Sequence, residues 1–258
     1  TARSGLVAEV IGGYVYVFGG GTMDVERAPI RTDGTLGAFA TVVGVTTRAR
    51  RTRPTIQVVG GFVYLMGGSD GGVALQTVER AAISADGDLG DFALTESLTV
   101  ARDGAASVVL GNRVYVAGGA GAAGALDSIE YAESMPDGGA LGPFVAVPSA
   151  TNRLSTARGG AASTVVGNYW YLVGGASAAP LAGIDRAEIN ASGVFGTPRN
   201  LPAPGLAGPR ILPTAVAIGR YIYVLGGSGP DGFDDTRGTE RAPVLDDGSL
   251  GAFVGYPP

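Results

Sequence analysis

Gly60-Gly61-Phe62-Val63-Tyr64-Leu65-Met66-Gly67-Gly68 is the stretch that decides the fold. Its pattern, Gly-x-x-x-Tyr-x-x-Gly-Gly, occurs five times in the 258 residues, beginning at Gly12, Gly60, Gly111, Gly167 and Gly219. A period of about 50 residues is typical of a modular fold in which no single unit can bury its apolar face alone. The pattern therefore indicates one fold built from five similar units.

The second copy can be divided into four short antiparallel strands. Thr55–Val59 and Phe62–Met66 are apolar runs joined by a two-glycine turn. Residues 76–83 alternate polar and apolar side chains, as a half-buried strand does. Asp86-Gly87 marks a second turn, and the fourth strand begins within residues 89–94. Four strands in each of five repeats predict an all-β fold, a single β-propeller of four-stranded antiparallel blades.

The outer half of the repeat recurs as well. An acidic residue stands seven positions before the second turn in every copy: Glu26, Glu79, Glu130, Asp185 and Glu240. In four copies the next residue is an arginine: Arg27, Arg80, Arg186 and Arg241. Neighbouring residues of a strand point to opposite faces. We therefore expect both members of each acid–arginine pair to bond across the seam between two blades.

The full pattern of apolar strand, turn, Tyr, double Gly and third-strand acid resembles the kelch-repeat propellers, of a bacterial type. The resemblance implies one propeller over residues 1–258, with blades at about 1–47, 48–100, 101–152, 153–205 and 206–258. The chain departs from kelch repeats where they carry a fourth-strand Trp, since Phe occupies that place at Phe39, Phe92, Phe144 and Phe253. Kelch propellers usually have six or seven blades, whereas five are visible here. A closed five-bladed ring is favoured, and a fragment of a larger ring is the alternative.

The composition excludes several kinds of site. The chain has no His, Cys or Lys, which excludes imidazole catalysis, thiol catalysis and zinc sites with His or Cys ligands. A net charge of −5 argues against nucleic-acid binding, and no apolar run approaches the ~20 residues of a membrane-spanning helix. We expect no cofactor. The acidic loop 229–235 could hold calcium through oxygen ligands, but we interpret it as a solvated loop.

An arginine stands nine residues before the first Gly of every copy, and these five are the candidate ligand-binding residues: Arg3, Arg51, Arg102, Arg158 and Arg210. Each precedes the first strand of its blade, the strand that lines the channel of a propeller. We therefore predict a ring of arginines at the channel mouth. The candidate site also includes Arg48, Arg50 and Arg53, which lie in the same connection as Arg51. A guanidinium can bind a carboxylate or phosphate through two hydrogen bonds. In the structural alternative, each arginine instead ties the entry of its blade to backbone carbonyls of the neighbouring blade.

The connections on the side of these arginines vary in length, while the turns on the opposite side hardly vary. Variable loops on a rigid scaffold are a usual place for binding specificity. We predict a non-enzymatic module that binds a protein through an acidic peptide, or an anionic small ligand or glycan. The alternatives are a structural or adhesion domain of a larger secreted or surface protein and a sialidase-like, glycan-acting enzyme. Arginine without lysine suggests a GC-rich bacterial genome, and we expect a secreted or cell-surface location. The oligomeric state stays open.

Overall fold

The computed structural model describes residues 1–135, 140–148, 152–202, 204–230 and 238–256. Across these ranges the secondary structure consists of strands, bridges and turns, without helices. Five four-stranded antiparallel sheets follow one another along the chain, and two two-stranded hairpins accompany them. The fold is a five-bladed β-propeller, which confirms the predicted fold class.

The strands follow the repeat, with a hairpin added to blades 2 and 3. Blade 1 contains β1 (Leu6–Ile11), β2 (Tyr14–Gly19), β3 (Asp24–Pro29) and β4 (Ala40–Thr46). Blade 2 contains β5 (Thr55–Val59), β6 (Phe62–Met66), the hairpin of β7 (Ser69–Asp70) and β8 (Val73–Ala74), β9 (Val78–Ala82) and β10 (Ala93–Leu94). Blade 3 contains β11 (Ala106–Leu110), β12 (Arg113–Ala117), the hairpin of β13 (Ala120–Gly121) and β14 (Gly124–Ala125), β15 (Ile129–Glu133) and β16 (Val145–Ala146). Blade 4 contains β17 (Ala162–Val166), β18 (Tyr169–Val173), β19 (Ile184–Glu188) and β20 (Arg199–Asn200), and blade 5 contains β21 (Thr214–Ile218), β22 (Tyr221–Leu225), β23 (Thr239–Pro243) and β24 (Val254–Tyr256).

The two-glycine turn joins the first two strands of blade 2 as the sequence predicts. Thr55 pairs with Met66 at one end of the ladder, and Val59 pairs with Phe62 at the other. Between them Gly60 and Gly61 have φ of 55° and 80°. A two-residue turn with φ above zero at both positions favours glycine at both. In the other blades only the first position has a positive φ, and glycine occupies it at Gly12, Gly111, Gly167 and Gly219.

The described residues fall into two compact units, Thr1–Asp103 with Ala132–Val145 and Gly104–Tyr131 with Ala146–Pro258. In the first unit the core lies between blades 1 and 2. Tyr16 and Phe18 of β2 pack in one buried cluster with Val63 and Leu65 of β6 and with Phe92. Burial of such side chains contributes about 1.5–3 kcal/mol each.

The second unit has two buried clusters, one on each side of blade 4. In the first cluster Tyr115 and Trp170 both contact Phe195 edge-on, at ring-centre distances of 4.8 and 5.3 Å. The second cluster brings Tyr171 and Val173 of blade 4 against blade 5 residues that include Ile222, Val224 and Leu250. Within each unit, the consecutive blades that share a cluster are therefore held together by apolar contact.

The repeated tyrosine and the double glycine both serve contacts between consecutive blades. Tyr171 donates a hydrogen bond from its hydroxyl to the Gly248 carbonyl in the second turn of the next blade, at 2.7 Å. A Cβ at Gly174 would lie 2.7 Å from the carbonyl oxygen of Arg210, where the next blade begins. Only a residue without a side chain allows this approach. The Gly-x-x-x-Tyr-x-x-Gly-Gly motif therefore serves mainly to join consecutive blades.

Candidate functional site

The five predicted arginines are buried at the entries of their blades. Arg51 shows the arrangement. Its Nε lies 2.5 Å from Oε1 of Glu79, and its Nη1 donates to the carbonyls of Gly67 and Thr77 at 2.5 and 3.0 Å. The Arg51 side chain is 1% exposed and that of Glu79 is 0% exposed. Buried charges need such partners because each leaves its hydration shell on folding.

The same arrangement, which we call the entry latch, recurs in other blades. Arg158 pairs with Asp185 at 3.0 Å and donates to the Gly174 carbonyl at 3.1 Å. Arg210 pairs with Glu240 at 2.7 Å. The further members bond in the same way or are buried in the same place: Arg3 pairs with Glu26 at 2.9 Å, and Arg102 and Glu130 are both buried. Wherever the latch bonds are described, the arginine also donates to the carbonyl of the first glycine of its own blade's double Gly, sixteen residues onward.

Burial changes the acid–base properties of the latch without removing its charge. Desolvation lowers the pKa of the Arg158 guanidinium, and the negative charge of Asp185 opposes that effect. Asp185 also accepts hydrogen bonds from the backbone and side chain of Ser155, at 2.7 and 2.5 Å. The latch therefore joins the connecting loop, the end of the second strand and the third strand of one blade.

The structural alternative is right that the arginines bind backbone carbonyls, but it is wrong about the blade, because these carbonyls belong to the arginine's own blade and not to its neighbour. Whether Arg3, Arg51, Arg102, Arg158 or Arg210 also contacts a ligand stays a prediction. The partners that five guanidinium groups require are supplied, where the bonds are described, by carboxylates and backbone carbonyls of the same blade.

We predicted that both members of each third-strand acid–arginine pair bond across a blade seam, and this prediction is wrong for the acidic member. Glu79 and Asp185 pair with the entry arginine of their own blade. The arginine does reach the next blade: Arg186 donates to the Asp247 carbonyl at 2.6 Å. Arg186 also lies over the Tyr169 ring, with 4.8 Å from the guanidinium carbon to the ring centre. Such cation–π contacts contribute about 0.5–1 kcal/mol at partly exposed sites.

The connection from blade 1 to blade 2 is the positively charged loop of the structure. Its ends are fixed, because the Arg48 amide donates to Oε2 of Glu79 at 2.5 Å and Thr52 forms two backbone hydrogen bonds with Ser69, at 2.8 and 2.9 Å. The remaining arginines of the loop differ in their freedom. Arg53 is paired with Asp103, whereas the Arg50 side chain is exposed and forms no hydrogen bond or ion pair within the described part of the chain.

The loop is joined to a hairpin that the sequence did not reveal. β7 and β8 lie in the segment predicted as a variable loop, and the hydroxyls of Thr52 and Ser69 lie 2.8 Å apart. At the start of β8 the Val73 side chain is 68% exposed. The surface formed by residues 48–53 and 69–74, here called the loop–hairpin surface, therefore combines an exposed cation with an exposed apolar side chain. The sequence feature that could have predicted this hairpin is Gly71-Gly72, which forms the turn between the paired residues Asp70 and Val73.

Residues 231–235 of the acidic loop proposed as a calcium candidate lie outside the described residues. Among the residues that the structure does describe, no three acidic side chains converge in a way that could hold a metal ion. Within the same residues, no helix has the length and hydropathy needed to cross a bilayer.

Comparison with known proteins supports the fold and leaves the family open. No protein-family model matches the chain, and no curated protein matches it significantly. Solved structures do match, among them one titled "Structure of YjhT", with a TM-score of 0.71 and 12% sequence identity. The match covers 98% of this chain and 84% of that one. At this identity the likeness defines a class of architecture, the β-propeller.

Proposed function

We propose that this protein is a non-enzymatic binding module and that the loop–hairpin surface binds an acidic peptide segment of a partner protein. The observation that carries the proposal is the exposed Arg50 side chain on a loop whose two ends are fixed by Glu79 and Ser69. A cation on a preorganised loop loses little conformational freedom when it binds an anion. A positive loop on a chain of net charge −5 also steers anionic partners toward itself.

The latch arginines are assigned to the scaffold in this proposal. Their charges are compensated by buried carboxylates, so a ligand would have to displace an existing ion pair to bind them. Breaking a buried pair costs about 3–5 kcal/mol. An exposed guanidinium has no such cost. Arg50 is for this reason a better ligand contact than the five buried arginines.

An acidic peptide fits the loop–hairpin surface better than an anion alone. Val73 offers exposed apolar area beside the charged loop, and the short β7–β8 hairpin has an edge that can pair with an extended backbone. Peptides supply carboxylates, apolar side chains and backbone hydrogen bonds together. A sialylated or uronic sugar supplies the carboxylate with less apolar area.

The proposal is tested by titrating labelled probes into the full chain and following fluorescence anisotropy. The probes are an oligo-glutamate peptide containing leucines, oligogalacturonate and a sialylated trisaccharide. Binding of the peptide that weakens with salt supports the proposal. Preference for either sugar would transfer the function to glycan recognition, and absence of binding to all three at millimolar concentration would refute the proposal. Turnover of the sialylated probe would favour the enzyme alternative.

A further inference from the structure

The face of blade 5 that looks away from blade 4 is exposed although it repeats the residues that are buried in the other blades. Ile218 is 59% exposed, whereas its counterparts Ile11, Leu110 and Val166 are at most 9% exposed and Val59 is half-buried. Leu225 is 40% exposed, whereas Phe18, Met66, Ala117 and Val173 at the same place are at most 1% exposed. Val216 and Tyr221 extend this exposed area.

Strand pairing shows that these residues form one continuous surface. Ile218 stands opposite Tyr221, and Val216 stands opposite Tyr223, in the β21–β22 ladder. Residues opposite each other in a ladder point to the same side of the sheet. We call this surface the terminal face. In blade 4 the equivalent side chains, including Tyr171 and Val173, pack against blade 5.

The double glycine of blade 5 is a second observation, independent of side-chain exposure, that points to a following blade. A Cβ at the first glycine of the pair would collide with the next blade's entry carbonyl in the preceding blades, at 2.5 Å for Gly67, 2.4 Å for Gly118 and 2.7 Å for Gly174. At Gly226 the same Cβ would meet nothing within 4 Å. The glycine that accommodates a following blade is thus retained in blade 5, with open space at its Cβ position.

Blade 1 itself exposes the kind of surface that a following blade packs against the blade before it. In blade 2, Leu89 and Phe92 are buried against blade 1, with 7% and 0% exposure. Their counterparts Leu36 and Phe39 in blade 1 are 44% and 46% exposed. Exposed large apolar side chains in such a cluster mark an interaction surface.

We propose that the terminal face is a docking surface for one further four-stranded blade of the same repeat. That blade would present an apolar inner strand and a Leu-Gly-x-Phe segment to Ile218, Tyr221 and Leu225, and its entry carbonyl would lie against Gly226. The comparison with YjhT agrees in size. The matched 98% of this chain is about 253 residues, and if these make up 84% of the other chain, it has about 48 residues more, the length of one repeat.

The first test appends a copy of residues 48–100 after residue 258. We expect the thermal midpoint to rise by several degrees, the fluorescence of a bound hydrophobic dye to fall, and the β21–β22 amides to exchange more slowly. The matched control carries the same extension with Leu89→Asp and Phe92→Asp in the appended copy only, and should leave all three readouts unchanged. Equal effects of both extensions would overturn the proposal.

The second test uses the 258-residue chain and does not depend on an added blade folding. Leu225→Thr should leave the denaturation midpoint unchanged, while Val173→Thr, at the equivalent buried position, should lower it clearly. Equal losses would show that the terminal face is covered in solution and would overturn the proposal. Sedimentation equilibrium should give a monomer. A dimer that Ile218→Asp dissociates would mean that a second copy, rather than a further blade, occupies the face.

Discussion

Replacing Arg158 by methionine tests the role of the entry latch. Methionine retains most of the side-chain volume and removes the charge and its hydrogen bonds. Asp185 would then be a fully buried carboxylate that keeps only its two bonds from Ser155. The carbonyls of Gly174 and Gly183 would lose a donor each.

The expected magnitude follows from these lost contacts. Removing one partner of a buried ion pair costs about 3–5 kcal/mol, because the other charge is left without compensation. Domains of this kind have about 5–15 kcal/mol of stability in total. Arg158→Met should therefore remove about a fifth or more of the unfolding free energy. The double variant Arg158→Met/Asp185→Leu should be clearly more stable than the single variant, since no buried charge remains in it.

The assay is urea unfolding followed by the fluorescence of Trp170, the only tryptophan of the chain. Trp170 is fully buried in the same blade as Arg158 and donates to the Ser163 hydroxyl at 2.7 Å, so it reports directly on this region. Arg50→Met is the matched control, and as an exposed substitution it should change stability by about 0.5 kcal/mol or less. A loss below about 1 kcal/mol for Arg158→Met, or a double variant as unstable as the single one, would refute the latch.

Two further predictions concern the glycine pair and pH. Gly174→Ala should destabilise the protein by more than about 2 kcal/mol, because the added Cβ would lie 2.7 Å from the backbone of the next blade. Gly226 has a similar φ but open space around it, so Gly226→Ala should cost only about 1–2 kcal/mol. Equal urea midpoints of the two variants would contradict this reasoning. Hydrogen bonds from Thr1 and Arg3 lower the pKa of Glu26 from 4.5 to about 2. The stability that this pairing contributes is complete above pH 4.5 and should be lost as pH falls toward 2, and Glu26→Gln should flatten that part of the stability–pH curve.

The repeat allowed the blades to be predicted because it depends on local rules. A two-glycine turn such as Gly60-Gly61 requires positive φ, and an apolar run such as Phe62–Met66 requires burial. Both requirements act within a few residues and are visible in one sequence. The strand limits in blade 2 agree with the prediction for the first two strands, while the fourth is only Ala93–Leu94.

The partners of the arginines could not be derived in the same way. Glu79 follows Arg51 by 28 residues, and nothing in their spacing distinguishes a bond within a blade from a bond across a seam. The exposure of Ile218 and Leu225 was equally inaccessible, since their apolar identity alone predicts burial. Sequence pattern locates such residues on a strand, and only the packing of neighbouring blades decides what they contact.

The central claim is that the latch arginines hold the scaffold and the loop–hairpin surface binds the ligand. The most direct measurement is the affinity of the full chain for the leucine-containing oligo-glutamate peptide, compared among the wild type, Arg50→Glu and Arg199→Glu. Arg199 is also exposed but lies in β20, far along the chain from the loop. The account predicts at least a tenfold loss of affinity for Arg50→Glu with an unchanged denaturation midpoint, and wild-type affinity for Arg199→Glu. Equal affinities of all three proteins would contradict it.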